Sequence, residues 1–399
     1  LVCSTNDIVT LSGTGAAGYT WSASAGNLYT NAAATVAYVP LTNAPTVYFK
    51  TNVNATITLT GVNGSCNKTA TVNIAVKSTK WNGSGWDNGA PDSSTQAIFN
   101  GNYTSNNLIT PGDINACSVI VQSGTVLFKS GHSLISQNSV TVSGGTLTFE
   151  NNASLVQPNN VANAVGVYNG GNVGAITYLR TTKPMVRNDY TYWSSPVGGQ
   201  TLAALSVSDR YFYFDAAVSN YWASIANTAT MTPGMGYIIT APQTFDLVSP
   251  QTYAASFSGV PNNGTITASI VSGKFNLIGN PYPSALDADS FLALPSNASK
   301  IDGFVYLWTH GTTPSSTSNP FYSSYSSNYY LSDYLIYNSL GSSSIPTFNG
   351  KIAAGQGFFV TMLDGNTVTD SSQLVTFDNT MRSTTYGNSQ FYKTSQVAA

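Results

Sequence analysis

Two stretches of the chain superimpose with a constant offset of 21 residues: SVIVQSGTVLFKSGHSLIS, Ser118 to Ser136, and SVTVSGGTLTFENNASLVQ, Ser139 to Gln157. Val119 falls on Val140, Gly124 on Gly145, Phe128 on Phe149 and Leu134 on Leu155. Short alternating strands with glycine corners at this period predict the stacked coils of a β-solenoid, because one coil cannot bury its apolar face alone. AIFNGNYT, Ala97 to Thr104, marks an earlier coil, and the solenoid is expected over residues 79–186. The same register sets His132 opposite Ala153, which weakens any catalytic or metal-binding reading of this histidine.

Charge is scarce. Only 8% of the 399 residues are charged, against about 25% in an ordinary soluble domain. With 42% hydrophobic residues in short alternating runs, this is the profile of a folded all-β chain rather than a disordered one. A net charge of −2, with 14 basic residues and no basic cluster, offers nothing to neutralise a phosphate backbone, so no nucleic-acid partner is expected. No apolar run approaches the roughly 20 residues that span a bilayer, so membrane insertion is not expected either. The chain begins at Leu1, and tracts of Asn, Ser, Thr and Gly suggest the mature part of an exported protein, or a piece of a larger one, that is secreted or displayed at the cell surface.

Residues 1–78 alternate like a β-sandwich, through IVTL, YTWSAS, TVAYVP, TVYFK, TITLTGV and TATVNIAV. Cys3 and Cys66 flank this segment with Trp21 between them, the order seen where a core Trp packs on an inter-sheet disulfide. A Cys3–Cys66 bridge would stabilise by about 4 kcal/mol in the chain-entropy model; two buried thiols are the competing reading. Cys117 reads as a small buried hydrophobe. With no CxxC and two histidines, neither a zinc nor a redox site finds support.

Residues 187–385 read as a duplicated, β-sandwich-like domain, followed by a tail or linker over 386–399. YTYWSSPVGGQTLAALS (Tyr190 to Ser206) runs parallel to KFNLIGNPYPSALDADSF (Lys274 to Phe291). Each copy continues with an aromatic strand, RYFYFD or FVYLW, and then a glycine pair leading into a strand, PGMGYIIT or AGQGFFVT. Pro196 to Gly234 is 38 residues and Pro281 to Gly355 is 74, so the second copy carries an insertion of 36. It falls within Gly311 to Ile345, which holds six Tyr, twelve Ser and one charge, Asp333. That composition suits recognition loops, and tyrosine faces stack on sugar rings. Tyr322, Tyr325, Tyr329 and Tyr330, with Trp308 beside them, are the candidate ligand-binding residues; the alternative is that pairs such as Tyr334 and Tyr337 only cover the sheet. The prolines of the two copies are expected to fix the corner where a strand leaves the sheet. Asp287 and Asp289 occur in one copy only. They are candidate oxygen ligands for calcium, the one cofactor in view, and the competing role is helix capping before Phe291.

Enzyme signatures are missing: there is no GxSxG elbow and no HExxH, and only His132 and His310 are available to activate a nucleophile. A non-enzymatic role is expected. A polysaccharide-active β-helix enzyme, built on paired carboxylates, is the minor alternative.

The set YWSSPV, PGMGY, GVPNNG, NLIGNPYPSAL, LWTH, GQGFFV and the closing FDNTMR resembles the C-terminal region of large secreted or surface proteins of Flavobacterium-type Bacteroidota. Many of these are similar to adhesins and are cargo of the type IX secretion system. GTGAAGYTWSASAGNLYT resembles the Ig-like modules of such proteins. The resemblance implies an extracellular adhesin, with Ig-like and solenoid modules as a stalk and the duplicated domain presented to a glycan or another surface. YKTSQVAA after Phe391 is not a sorting domain, which the resemblance implies was removed on export or lies outside this chain. Low charge and open strands suggest a second class, the homopolymeric subunit of an extracellular filament or sheath.

Overall fold

The computed structural model describes residues 8–391 apart from 52, 107–111, 165, 219–220, 272, 310–333, 343–347 and 364–372. Six strands open the chain: β1 (Val9–Ser12), β2 (Gly18–Ala23), β3 (Asn27–Tyr29), β4 (Thr46–Lys50), β5 (Ala55–Asn63) and β6 (Cys66–Ile74). They form two antiparallel sheets, ordered β1-β4-β3 and β2-β5-β6. Period-2 alternation turns Trp21, Val47, Phe49 and Ile57 into a shared core. Trp21 is anchored by hydrogen bonds: its indole N–H donates to the Ala44 carbonyl at 2.7 Å, and its backbone N–H donates to the Tyr38 hydroxyl. The expected Cys3–Cys66 bridge is not formed. Cys66 is an exposed free thiol, because it opens an edge strand just past the β5–β6 turn, away from the core. Cys117, expected as a lone buried thiol, is buried but disulfide-bonded. Cys3 lies outside the described residues.

The solenoid follows as β7 (Ser78–Trp81), β8 (Gln96–Asn100), β9 (Tyr103–Thr104), β10 (Ile114–Ala116), β11 (Ser118–Ser123), β12 (Thr125–Phe128), β13 (Ser133–Ser136), β14 (Val140–Val142), β15 (Thr146–Phe149), β16 (Ser154–Val156) and β17 (Ile176–Thr181). Parallel pairing stacks them on three faces, β7-β8-β11-β14, β9-β12-β15-β17 and β10-β13-β16, in about four turns. The register carries the 21-residue offset between the two central coils on all three faces: Val119 pairs with Val140, Phe128 with Phe149 and Leu134 with Leu155. Val119 also pairs with Ala97, which places the earlier coil where the sequence suggests it. Tyr103, Phe128, Phe149 and Tyr178 form a continuous internal ladder of rings, with centroids 5.4 to 6.2 Å apart. The corner glycines are required by contact as well as by conformation. A Cβ on Gly145, at φ +69°, would lie 2.3 Å from the Gly124 carbonyl oxygen of the coil beneath.

Both ends of the solenoid are covered. At the first, residues 82–89 fold back over β7: Lys80 and Asp87 exchange hydrogen bonds, and Trp86 packs on Trp81 and Phe99. At the other, β17 pairs antiparallel with a strand of the next unit.

That unit contains β18 (Tyr190–Trp193), β19 (Val197–Gly198), α1 (Leu202–Leu205), β20 (Tyr211–Asp215), β21 (Tyr221–Ser224), β22 (Tyr237–Thr240), β23 (Ala254–Pro261), β24 (Ile266–Ile270), β25 (Phe275–Gly279), β26 (Leu286–Asp287), α2 (Ala288–Ala293), α3 (Pro295–Ala298), β27 (Val305–Trp308), β28 (Tyr334–Asn338), β29 (Gly341–Ser342), β30 (Lys351–Ile352), β31 (Gly357–Thr361) and β32 (Gln373–Phe377). Strand β23 pairs with β17 over six residues, Tyr178 facing Phe257. One apolar core therefore runs from Trp81 to Phe391 across residue 186. The expected tail also begins later than residue 386: Asn388 and Phe391 are buried, Asn388 donating to Ala153 O and Tyr178 Oη, and Phe391 packing on Trp193.

The duplication is visible in the topology. One sheet is ordered β18-β22-β20-β21 and the other β25-β31-β27-β28-β29, so equivalent strands occupy equivalent places. The copies cross reciprocally. Ser194 N–H donates to Gly355 O and its counterpart Gly279 N–H donates to Gly234 O, while bridges join Trp193 to Gln356 and Ile278 to Met235. This is the self-complementary pattern of a twofold interface, here inside one chain. The second glycine of each pair is crowded by the other copy, to different degrees: a Cβ on Gly236 would fall 2.6 Å from Leu277 Cγ, and one on Gly357 3.2 Å from Tyr192 Cβ.

Buried amides and two arginines fasten the copies to each other and to the solenoid. Asn262 donates to Ser195 O and Pro281 O, the matching proline corners of the two copies. Arg382 donates to Ser284 Oγ, Asn379 Oδ1 and, in the solenoid, Leu155 O, with its guanidinium 4.5 Å from the centroid of the buried Tyr282 ring. Burial lowers its pKa to about 10, which leaves it charged at neutral pH.

Candidate functional site

Strand β27 is preceded by Asp302 and reads DGFVYLW. Alternation sends Val305 and Leu307 into the core below, and puts Asp302, Phe304, Tyr306 and Trp308 on the opposite face. That face meets the equivalent face of the first copy, and together they form an aromatic seam. Tyr192, Ile238, Leu277, Trp308 and Phe359 are buried at its centre, ringed by half-buried Tyr190, Phe212, Phe214, Trp222, Tyr306 and Tyr334. Tyr192 stacks on Trp308 with centroids 5.7 Å apart, and its hydroxyl lies 2.7 Å from that of Tyr334. Phe359 receives edges from Tyr192, Phe214 and Trp222 across the seam.

The seam opens outward on one side. Phe275, 39% exposed, stands edge-on to Tyr306 at 5.3 Å, and Phe304 lies 6.4 Å from the same ring. Asp302 is beside them. Its carboxylate accepts from Tyr306 Oη at 3.1 Å and from Phe304 N–H at 3.2 Å. Partial burial raises the Asp302 pKa against these hydrogen bonds, and burial together with the Asp302 charge raises that of Tyr306. Three rings and one partly desolvated carboxylate thus share a single rim. Apolar ring faces beside a hydrogen-bond acceptor can take an amphipathic ligand that has C–H faces and hydroxyl groups, such as a sugar.

Trp308 belongs to this seam, but at 4% exposure it is one of the packed rings at its centre rather than a free contact surface. Tyr322, Tyr325, Tyr329 and Tyr330 lie outside the described residues, as does His310. Trp308 and Tyr334 are register partners, so the connection formed by residues 309–333 leaves and rejoins the fold at the seam. Tyr334 and Tyr337 point to opposite faces, Tyr334 into the seam and Tyr337 into the core.

The two aspartates have other partners. Asp287 caps α2 by accepting from Ser290 N–H, and forms an ion pair with Lys351. Asp289 accepts from Tyr337 Oη at 3.0 Å, and burial followed by this bond pushes the Tyr337 hydroxyl up to about 12. Burial alone would raise the Asp287 pKa; Lys351 and the Ser290 N–H outweigh it and hold the pKa low. Helix capping is therefore the role the fold gives Asp287, and among the described residues no group of three His, Cys, Asp or Glu stands close enough to hold a metal ion. The His132 ring is hydrogen-bonded through Nδ1 to Ser105 Oγ at 2.7 Å.

Asp302, Phe304, Tyr306 and Phe275 are new as site residues. Their signal was present in the sequence as alternation, Asp-x-Phe-x-Tyr-x-Trp, in a strand whose other face is wholly aliphatic.

Residues 72–399 match the model of a family described as a domain of unknown function, DUF8693. The match starts at the end of β6 and takes in the solenoid and the duplicated unit, the two parts that share one core. No curated protein matches the chain.

Proposed function

The chain belongs to this family of unknown function, and on that footing we propose that it is a non-enzymatic extracellular surface protein whose aromatic rim binds carbohydrate on another surface. The observation that carries this reading is the grouping of Phe275, Phe304 and Tyr306 around the Asp302 carboxylate. Aromatic rings receive the C–H face of a sugar, and the carboxylate accepts from its hydroxyl groups. The rim sits on and beside strands β25 and β27. The resemblance of the Ser-Pro, Asn-Pro and glycine-pair motifs to surface proteins supports an extracellular setting and type IX export.

The test is a panel of immobilised neutral polysaccharides probed with the wild-type chain and with Phe275→Ala/Tyr306→Ala. Retention by at least one glycan, weakened roughly tenfold or more in the variant, corresponds to about 1.4 kcal/mol of lost stacking and supports the reading. Binding unchanged in the variant, or no wild-type binding to any glycan, removes it.

A further inference from the structure

We propose that β6 is a docking edge for a second copy of this chain, the two β6 strands pairing antiparallel about a twofold axis to join two three-stranded sheets into one of six strands. Among the described strands β6 is the longest at a sheet edge, nine residues, and it pairs only with β5. Its first eight residues are exposed. Exposure is not confined to the outer face. Ile57 of β5 is buried by the opposing sheet, whereas Val72, its register partner on β6, is 41% exposed on the same side. The edge strand therefore projects beyond the sandwich, with both its backbone row and its inward side chains uncovered. It contains no proline and a single charge, Lys68; long edges of this kind are templates for strand pairing.

The sequence of the strand identifies the occupant. With Ala70 set opposite the partner's Ala70, CNKTATVNI complements itself. Thr69 meets the partner's Thr71, Asn67 meets the partner's Asn73, and Lys68 meets the partner's Val72. Thr–Thr and amide pairs of this sort stabilise antiparallel sheets. The aliphatic stem of Lys68 covers the exposed Val72 while its ammonium reaches water. The two Lys68 side chains are four residues apart along the joined sheet, about 14 Å, beyond the screening length of roughly 8–10 Å. Such an interface is isologous, so it closes at two copies. It is independent of carbohydrate binding at the seam, which lies in another unit.

Cysteine cross-linking of the full chain in a Cys66→Ser background tests the register. Ala70→Cys is expected to form a disulfide-linked dimer under mild oxidation, because directly opposed residues sit about 4.5–5.5 Å apart, within disulfide reach. Asn67→Cys, about 20 Å from its own copy in this register, is expected not to. Sedimentation should show the wild-type 41.9 kDa mass doubling with concentration, and Thr69→Lys/Thr71→Lys, at exposed positions, should remain monomeric. A wild-type chain that stays monomeric, equal cross-linking at 67 and 70, or a dimer that persists in the double-lysine variant overturns the proposal.

Discussion

Replacing Gly236 by alanine places a methyl group where the two copies of the duplicated unit cross. The Gly236 backbone is not in the left-handed region, so the substitution carries no conformational strain. By stiffening the unfolded chain it would on its own stabilise by about 0.4–1 kcal/mol. Against this, the new Cβ would sit 2.6 Å from Leu277 Cγ and 2.7 Å from the Ile278 carbonyl oxygen. Leu277 can turn, but the carbonyl belongs to β25, which is held by its register with β31. Overpacking of this kind costs about 1–3 kcal/mol, leaving a net loss of about 1–2 kcal/mol. For a unit of 150–250 residues this lowers Tm by about 2–8 °C. The equivalent Gly357→Ala meets its neighbours at 3.2–3.3 Å, so a few tenths of an ångström of adjustment accommodates it and near-neutrality is expected. Gly85→Ala, in open space, is the control that should match or exceed wild type. Differential scanning calorimetry measures all three. A Gly236→Ala chain as stable as wild type, or a Gly357→Ala chain equally damaged, would refute the argument from the clearance at each glycine.

Arg382→Met should leave the Leu155 carbonyl and the Ser284 hydroxyl without their buried donor; at about 1–3 kcal/mol per orphaned group, limited proteolysis should then cut the chain faster than wild type. Lys351→Met strands the Asp287 carboxylate in a site where burial alone would raise its pKa. The expected loss is about 2–3 kcal/mol, below the roughly 3–5 of a fully buried pair, and it should shrink in acid, where Asp287 is protonated. Asp302 titrates in the opposite sense to a paired carboxylate. Because burial raises its folded pKa above the ordinary carboxylate value, the folded state holds the proton more tightly, and stability falls as pH rises from the unfolded value through the folded one. Carboxyl NMR should find Asp302 above 3.8, and Asp302→Asn should abolish that part of the pH profile; a value at or below 3.8 contradicts the burial argument.

The solenoid was legible because its period is local. Apolar residues recur at matching places in the two central coils, and parallel in-register stacking converts that recurrence directly into contacts, as the Phe128–Phe149 pair shows. The duplication was legible for a related reason, since turn chemistry at Ser195-Pro196, Asn280-Pro281 and the two glycine pairs is short-range. The cysteine pairing was not. The Cys–Trp–Cys order says nothing about which strand ends at the edge, and Trp21 finds its partners in Tyr38 and Ala44 instead. Nor could the sequence distinguish a motif that binds from one that fastens. Asn262 of GVPNNG, Tyr282 of NPYP and Asn379 and Arg382 of FDNTMR converge in space across more than 100 residues to hold the fold together. The rim residues were written in plain alternation, but their value depends on a second sheet facing them, which no local pattern encodes.

The tie between Arg382 and Leu155 spans 227 residues, and that between Arg180 and Asn388 spans 208. Closing contacts so distant in sequence makes folding late and slow, because the chain must lose its loop entropy before these bonds repay it. While the chain is emerging, the coil ending at β16 has no β17–β23 cover and no guanidinium beneath it. The molecule therefore reaches its native state only after nearly its whole length is available, with an open, low-charge strand edge exposed until then. Refolding of the chain should therefore show a slow phase that is lost from a chain ending at residue 381, which cannot make the Arg382–Leu155 and Arg180–Asn388 bonds.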